Sequence, residues 1–205
     1  MTGASANEQK YESRNPILRM LIARFHRRIA ELLAPLRPAT ILDAGCGEGY
    51  LARYLLDHLD GIALWGVDAS AAAIERARQR CPEATFEVAS LESIDLGRKE
   101  FDVVICSEVL EHLEHPEKAL VRLSSLCGSH ALLTVPWEPW FRLANLARGK
   151  YLRNLGNHPE HVQQWTKRGF VRVVEPHFEP LHVEVCFPWT ILLGRPRVER
   201  RRAAV

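Results

Sequence analysis

Two carboxylates and a run of alternate glycines are the residues of this chain best suited to hold a charged small molecule. In Ile41-Leu42-Asp43-Ala44-Gly45-Cys46-Gly47-Glu48-Gly49-Tyr50, two aliphatic residues end in an acid and three glycines follow at alternate positions. Such a run reads as a strand, a tight turn and a helix N-terminus, where glycine lets backbone N–H groups come close to a ligand. The spacing separates two ligand classes. A dinucleotide fingerprint puts its third glycine where Tyr50 stands. Here that glycine comes one residue early, and the Asp43 carboxylate stands just before the turn. A negative charge there repels a pyrophosphate but suits a cation bearing an ammonium group. About one βα unit further on, Trp65-Gly66-Val67-Asp68-Ala69-Ser70 closes a second apolar run on Asp68.

The elements that must position these residues are legible as alternating strands and helices. Asn15-Pro16 supplies an N-cap and a first-turn proline. Leu18, Ile22, Phe25, Ile29 and Leu32 then recur on one helical face, and Pro35 and Pro38 end that helix. It is expected to pack on one side of a sheet, with Tyr11 ahead of it as a candidate for closing a pocket. Strands are expected at 40–43, 62–68, 85–88, 101–106 and 131–135. Helices are expected at 50–59, from the Ser70 cap to Arg80, and from Pro116 to about Cys127. This alternation implies a parallel sheet, helices on both faces and right-handed crossovers. Ligands bind such sheets at the carboxyl ends of the strands. Asp43, Asp68, Ser90 and Ser107 each sit at or just past such an end. Beyond Pro136 the pattern changes. A proline-interrupted aromatic stretch (Trp137, Trp140, Phe141) and a basic piece (142–153) precede a helix expected at 159–168. Strands are then expected at 170–174, 181–187 and 189–193, the last two joined at Pro188.

The whole sequence reads as one domain over residues 1–205. Its hydrophobic content of 47% and charged content of 25% are ordinary for a soluble protein. No stretch is apolar enough to span a membrane and no leader pattern is present, so a cytoplasmic location is expected. The five cysteines form no Cys-x-x-Cys pair. Neither a metal site nor a disulfide framework is therefore expected. Residues 195–205 carry five arginines against one glutamate, a basic tail of +4 that leaves the remainder at −2. The near-neutral body argues against a nucleic-acid partner. The tail reads as a solvated terminus or as a contact for an anionic surface.

The run from Ile41 to Tyr50 resembles motif I of the class I S-adenosylmethionine (SAM)-dependent methyltransferases, and the resemblance extends over about residues 41–135. It implies a Rossmann-like doubly wound α/β sheet of about seven strands, mostly parallel, with an antiparallel C-terminal strand. It implies SAM as methyl donor and S-adenosylhomocysteine as product. Asp43, Gly45, Cys46, Gly47 and Gly49 would then hold the donor. Asp68, with Ala69 beside it, would accept from the ribose hydroxyls, although an aspartate before a helix is also a cap. Phe86-Glu87-Val88-Ala89-Ser90-Leu91 resembles the segment that meets adenine; many members carry aspartate where Ser90 stands, and the Leu91 amide offers the other contact. Ser107 would line the methionine end. Glu108-Val109-Leu110-Glu111-His112, followed by Pro116, is similar to the ubiquinone- and menaquinone-biosynthesis subgroup.

The resemblance implies in-line displacement of the methyl group by a small-molecule acceptor, a reaction in which the protein mainly aligns the reactants. A general base is needed only for an acceptor protonated at working pH. His112, His158 and His161 are the candidates, with surface histidines the alternative. Residues 1–38 read as a helical cap and residues 136–160 as an insertion covering the acceptor. The aromatic residues there line an acceptor pocket or pack a core. The basic residues there meet an anionic acceptor, a membrane surface or solvent. Aminopropyl transfer, a non-catalytic SAM-binding module and methylation of a macromolecule are the competing functions. The acceptor, the methylated atom and the oligomeric state are not encoded in any motif.

Overall fold

Ile41 and Leu42 show the plan of the fold, because they pack into two different apolar layers. Successive side chains of a strand point to opposite faces of the sheet. The neighbours Val103 and Val104, Leu132 and Leu133, and Ile191 and Leu192 divide between the two layers in the same way. Both faces are therefore covered, which explains the near-continuous apolar runs. These relationships come from a computed structural model, which describes residues 6–96, 100–137, 163 and 165–197.

Seven strands form one sheet: β1 (Thr40–Ala44), β2 (Ala63–Asp68), β3 (Thr85–Val88), β4 (Phe101–Ser107), β5 (Cys127–Pro136), β6 (Phe178–Cys186) and β7 (Trp189–Pro196). Their order is β3-β2-β1-β4-β5-β7-β6. Strands β1 to β5 are parallel, and β7 runs antiparallel to both of its neighbours. This is the doubly wound sheet with an antiparallel C-terminal strand that the resemblance implied. The strand order reverses between β1 and β4, so a ligand crevice is expected above their carboxyl ends.

Helices α1 (Ala6–Tyr11), α2 (Pro16–Leu33), α3 (Tyr50–His58) and α4 (Ala71–Arg80) precede α5 (Pro116–Leu126) and α6 (Lys167–Val174). The α2 start is fixed by Asn15, whose Oδ1 accepts from the Ile17 amide at 2.9 Å, and by Pro16 in the first turn. Its inner stripe of Ile22, Phe25, Ile29 and Leu33 enters the first layer with Leu51, Leu55, Ile74 and Ala77 from α3 and α4. Each such large side chain stabilises the fold by about 1.5–3 kcal/mol on burial. A charge at Ile29 would forfeit that and bury an unpaired ion. Helices α5 and α6 close the second layer through Leu120, Leu123, Phe170 and Val174.

Two expectations need correction. Residues 170–174 are not a strand but the end of α6. Thr166 caps that helix by accepting from the Gly169 amide at 3.1 Å, and Phe170 and Val174, four residues apart, bury on one face. The valines in this run suggested a strand, but the period of four decides. The helix expected at 159–168 is not continuous through its described end: Gln163, Trp165 and Thr166 are non-helical and the helix begins at Lys167. Residues 138–162, with Trp140, Phe141, the basic piece, His158 and His161, lie outside the described residues, as do 198–205 of the tail. The closing hairpin at Pro188 is present, with β6 starting at Phe178.

Candidate functional site

The turn after β1 is held open by left-handed glycines. Gly45, Gly47 and Gly49 have φ of +86°, +51° and +76°, values that side-chain-bearing residues adopt only at a cost. The amides of Gly45 and Cys46 both donate to the Val67 carbonyl, at 2.7 and 2.9 Å, and tie the turn to the end of β2. A Cβ on Gly45 would run into the Val109 side chain, and one on Gly47 would press on Asn7 at 2.9 Å. A Cβ on Gly49 would meet the Ala77 backbone at 3.2 Å. Gly49 therefore serves the packing of α3 on α4, while Gly45 and Gly47 keep the crevice clear.

Asp43 and Asp68 flank this turn. Asp68 Oδ2 accepts from the Gly47 amide at 2.9 Å, and Oδ1 accepts from the Ser70 amide at 2.8 Å. Ser70 Oγ in turn accepts from the Ala73 amide at 3.3 Å and caps α4. Asp68 thus bridges the glycine turn and the helix start. Each of its carboxylate oxygens keeps a further lone pair. Asp43 is 1% exposed, and its Oδ2 has no hydrogen-bond partner. Burial, and secondarily the charge of Asp68, push its carboxyl up to about 7. A buried carboxylate oxygen without a partner is costly, and an ammonium group beside it would remove that cost. Asp43 therefore fits the cationic ligand that motif I implies.

Both acids open into a cavity of about 570 Å³, within the range of about 300–1,000 Å³ common for small-molecule sites. Of the residues singled out in the sequence, Asp43, Gly45, Cys46, Gly47, Asp68, Ser107 and His112 line it. Gly49, Ala69, Ser90 and Leu91 are not among its lining residues. Ser90 is exposed and its Oγ accepts from the Glu92 amide at 3.3 Å, while Leu91 is buried in the second apolar layer. Ser107 Oγ hydrogen-bonds Thr134 Oγ1 at 2.9 Å, and His112 ends a 3₁₀ turn over Leu110–His112. Among the described residues no three His, Cys, Asp or Glu side chains are grouped as a metal site.

Tyr11, a candidate for closing a pocket, lines the cavity, which also has walls that the sequence did not announce. Glu108, at φ +57°, follows β4 in the left-handed region. Its Oε1 accepts from Trp189 Nε1 at 2.6 Å, and its Oε2 pairs with Lys10. Burial pushes the Glu108 carboxyl up, but Lys10 and the Trp189 donor outweigh it and hold the group below its ordinary range. Trp189 stacks on Phe25 with ring centres 4.3 Å apart. Helix α1 lies across these groups. Asn7 donates to Glu48, Glu8 pairs with Arg76, and Tyr11 stacks on Tyr50 at 4.1 Å. Tyr11 Oη also meets His26 Nε2 at 3.0 Å. Burial, and next the Lys10 charge, lower His26 to about 4, so its ring is neutral at physiological pH. Asn7, Lys10 and Tyr11 fall at a helical spacing of three and four, the only pattern in the sequence that marks this face.

A family model described as a methyltransferase domain matches residues 17–176. A ubiquinone biosynthesis O-methyltransferase of Coxiella burnetii is 26% identical over 164 residues, covering 70% of this chain and 69% of that one. A protein of the same description from Alkalilimnicola ehrlichii is 31% identical over 157 residues, covering 68% and 63%. Among solved structures, the magnesium protoporphyrin IX methyltransferase of Synechocystis superposes with a TM-score of 0.71 at 19% identity, covering 92% of each chain. An N-methyltransferase of Bradyrhizobium japonicum does so with a TM-score of 0.69 at 17% identity, covering 94% of this chain and 93% of that one. Motif I on the expected turn, the second acid on the expected strand end, and a family match across most of the chain converge: this protein belongs to the methyltransferase-domain family and is a class I SAM-dependent methyltransferase.

Proposed function

We propose that this enzyme methylates an oxygen of a small, largely apolar molecule. The observation that carries the reading is the pair of acids, Asp43 and Asp68, on either side of the glycine turn and open to one cavity. Asp43 takes the donor's ammonium end, the Gly45 and Gly47 backbones give it room, and Asp68 accepts from its ribose hydroxyls. Cys46 and Gly49 belong to the same turn. Ala69, Ser90 and Leu91 are assigned to the adenine end from the family resemblance. Ser107 faces the methionine end.

Bound SAM supplies a methyl group already activated by its sulfonium, so the protein's task is alignment and exclusion of water. Pro136, Pro188 and Trp189 give the acceptor side of the cavity an apolar wall. The relatives described as ubiquinone biosynthesis O-methyltransferases favour an oxygen acceptor. A hydroxyl acceptor must lose its proton, and His112, which lines the cavity, is the proposed base. His158 and His161 remain alternates. We assign residues 1–38 as an N-terminal helical cap, 136–160 as the acceptor cover and 195–205 as a basic extension of one domain. Among the described residues no helix is long and apolar enough to cross a membrane.

Titration calorimetry with SAM and its demethylated product tests the donor half. Micromolar binding that collapses in Asp68→Ala supports it, and unchanged binding in that variant removes the ribose assignment. The acceptor half is tested by methyl transfer to a panel of phenols. His112→Ala should then lower kcat while donor binding stays intact.

A further inference from the structure

The charge balance of the main cavity is a feature that the donor assignment leaves unused. Asp43, Glu48, Asp68, Glu108 and Glu111 all line it, and among the described residues Lys10 is its only lysine or arginine. That one ammonium group is held inside a small cage. Its side chain is 22% exposed, and Nζ pairs with Glu108 Oε2. Nζ also lies 5.3 Å from the centre of the Tyr11 ring and 5.2 Å from that of Trp189. Both rings are within the ~6 Å over which an aromatic face attracts a cation. Trp189 Nε1 donates to Glu108 Oε1 at 2.6 Å and so fixes the carboxylate beside the rings. One carboxylate and two aromatic faces thus gather around a single positive charge.

Anchoring α1 does not by itself call for this arrangement, since Asn7 already donates to Glu48 and Glu8 already pairs with Arg76. The place of the cage points to another use. A Cβ on Gly45 would run into Val109, the residue after Glu108, so the cage borders the glycine turn. Burial raises the Tyr11 hydroxyl, and the charges of Glu108 and then Asp43 push it the same way, so both acids act on one oxygen. In SAM a short carbon chain joins the amino group to the charged sulfur. A donor whose ammonium meets Asp43 therefore brings its sulfonium within reach of Glu108, Trp189 and Tyr11.

We propose that Lys10 is a tethered stand-in for the donor's sulfonium: SAM displaces the Lys10 ammonium from the cage of Glu108, Trp189 and Tyr11, whereas the uncharged sulfur of S-adenosylhomocysteine leaves it in place. The proposal rests on the methyl-transfer reading. Two cations in one partly buried cage repel each other, so one must leave. Lys10 then lowers the affinity for SAM and has no such effect on the product. Once the methyl group has gone, the sulfur is a neutral thioether and the ammonium returns to the cage. The cavity is thereby sensitive to the charge of the molecule it holds.

Titration calorimetry of the full chain with SAM and with S-adenosylhomocysteine tests this. Lys10→Gln keeps a hydrogen-bond donor for Glu108 and drops the charge. It should tighten SAM at least about fivefold and leave the product within about twofold of wild type. Retained product binding also shows that the variant is folded. Lys10→Arg, which keeps the charge, should keep the wild-type ratio of the two affinities. Glu108→Gln in the Lys10→Gln background should abolish the gain in SAM affinity, because the sulfonium then loses its carboxylate. A ratio in Lys10→Gln within about twofold of wild type overturns the proposal, as does a gain that survives the double variant. Weakening of both ligands together in Lys10→Gln assigns the residue to holding α1 and overturns it too. Wild-type protein that binds neither ligand removes the methyl-transfer reading itself.

Discussion

Trp189 Nε1 donates to Glu108 Oε1 at 2.6 Å, and this bond joins the antiparallel strand β7 to the residue that follows β4. It holds a glutamate whose backbone sits in the left-handed region, φ +57°. It also leaves the second carboxylate oxygen to Lys10 of α1. The β6–β7 turn, the residue after β4 and helix α1 are thus one connected unit.

Trp189→Phe keeps the stacking on Phe25 but removes the donor. Loss of a buried bond to a charged group should cost about 1–3 kcal/mol, read as a lower urea midpoint with unchanged slope. Amide exchange in α1 should quicken too, because Lys10 then holds a less well-placed carboxylate. Unaltered exchange in α1 would show that this helix does not depend on the link.

Asp43 predicts two opposite pH dependences. In the free protein its carboxyl titrates at about 7 rather than near 3.8. The folded state therefore holds a proton that the unfolded state has lost between those values, and stability should fall as pH rises from about 4 to 7. The slope is on the order of 1.4 kcal/mol per pH unit at most. Donor affinity should move the other way, rising with pH up to about 7 as the carboxylate forms. Asp43→Asn should flatten both curves. Calorimetry in buffers of different ionisation enthalpy should show proton release on SAM binding below pH 7, and none in the variant.

Asp68→Ala removes acceptors from the Gly47 and Ser70 amides as well as from the ligand. Charged hydrogen bonds contribute about 1.5–3 kcal/mol each, so two lost ribose bonds should weaken SAM by roughly two orders of magnitude or more. Asp68→Asn, which keeps the shape, should fall between. A dissociation constant within a few-fold of wild type in Asp68→Ala would sink the assignment.

The glycines should separate by phenotype. Gly47→Val places a branched side chain at φ +51° and against Asn7, so donor binding should be lost with the fold retained. Gly49→Ala presses on the Ala77 backbone at 3.2 Å. It should lower thermal stability by about 1–2 kcal/mol while sparing donor contacts. The check is a melting curve and a SAM titration on each variant.

The sheet was legible because its strands are short apolar runs broken by glycine, proline and capped helices, and because Asp43 and Asp68 end two of them. Phe170 to Val174 misled because its valines suit a strand, while the cap at Thr166 and the period of four suit a helix. The glycine turn was readable as a ligand loop, but Gly49 could not be told from its neighbours without Ala77 in view. Of helix α1 only Tyr11 was singled out in the sequence, and the helix's long-range contacts were least legible. Glu108 meets Lys10 across 98 residues and Trp189 across 81, and no local pattern encodes such a meeting. Ser90 lies just past the end of β3, as its place in the sequence suggested, and its side chain turns to its own loop.

Helix α1 reaches four separate parts of the molecule through Asn7, Glu8, Lys10 and Tyr11. Release of that short helix from the cavity edge therefore requires an amide hydrogen bond, two ion pairs and a ring stack to part together.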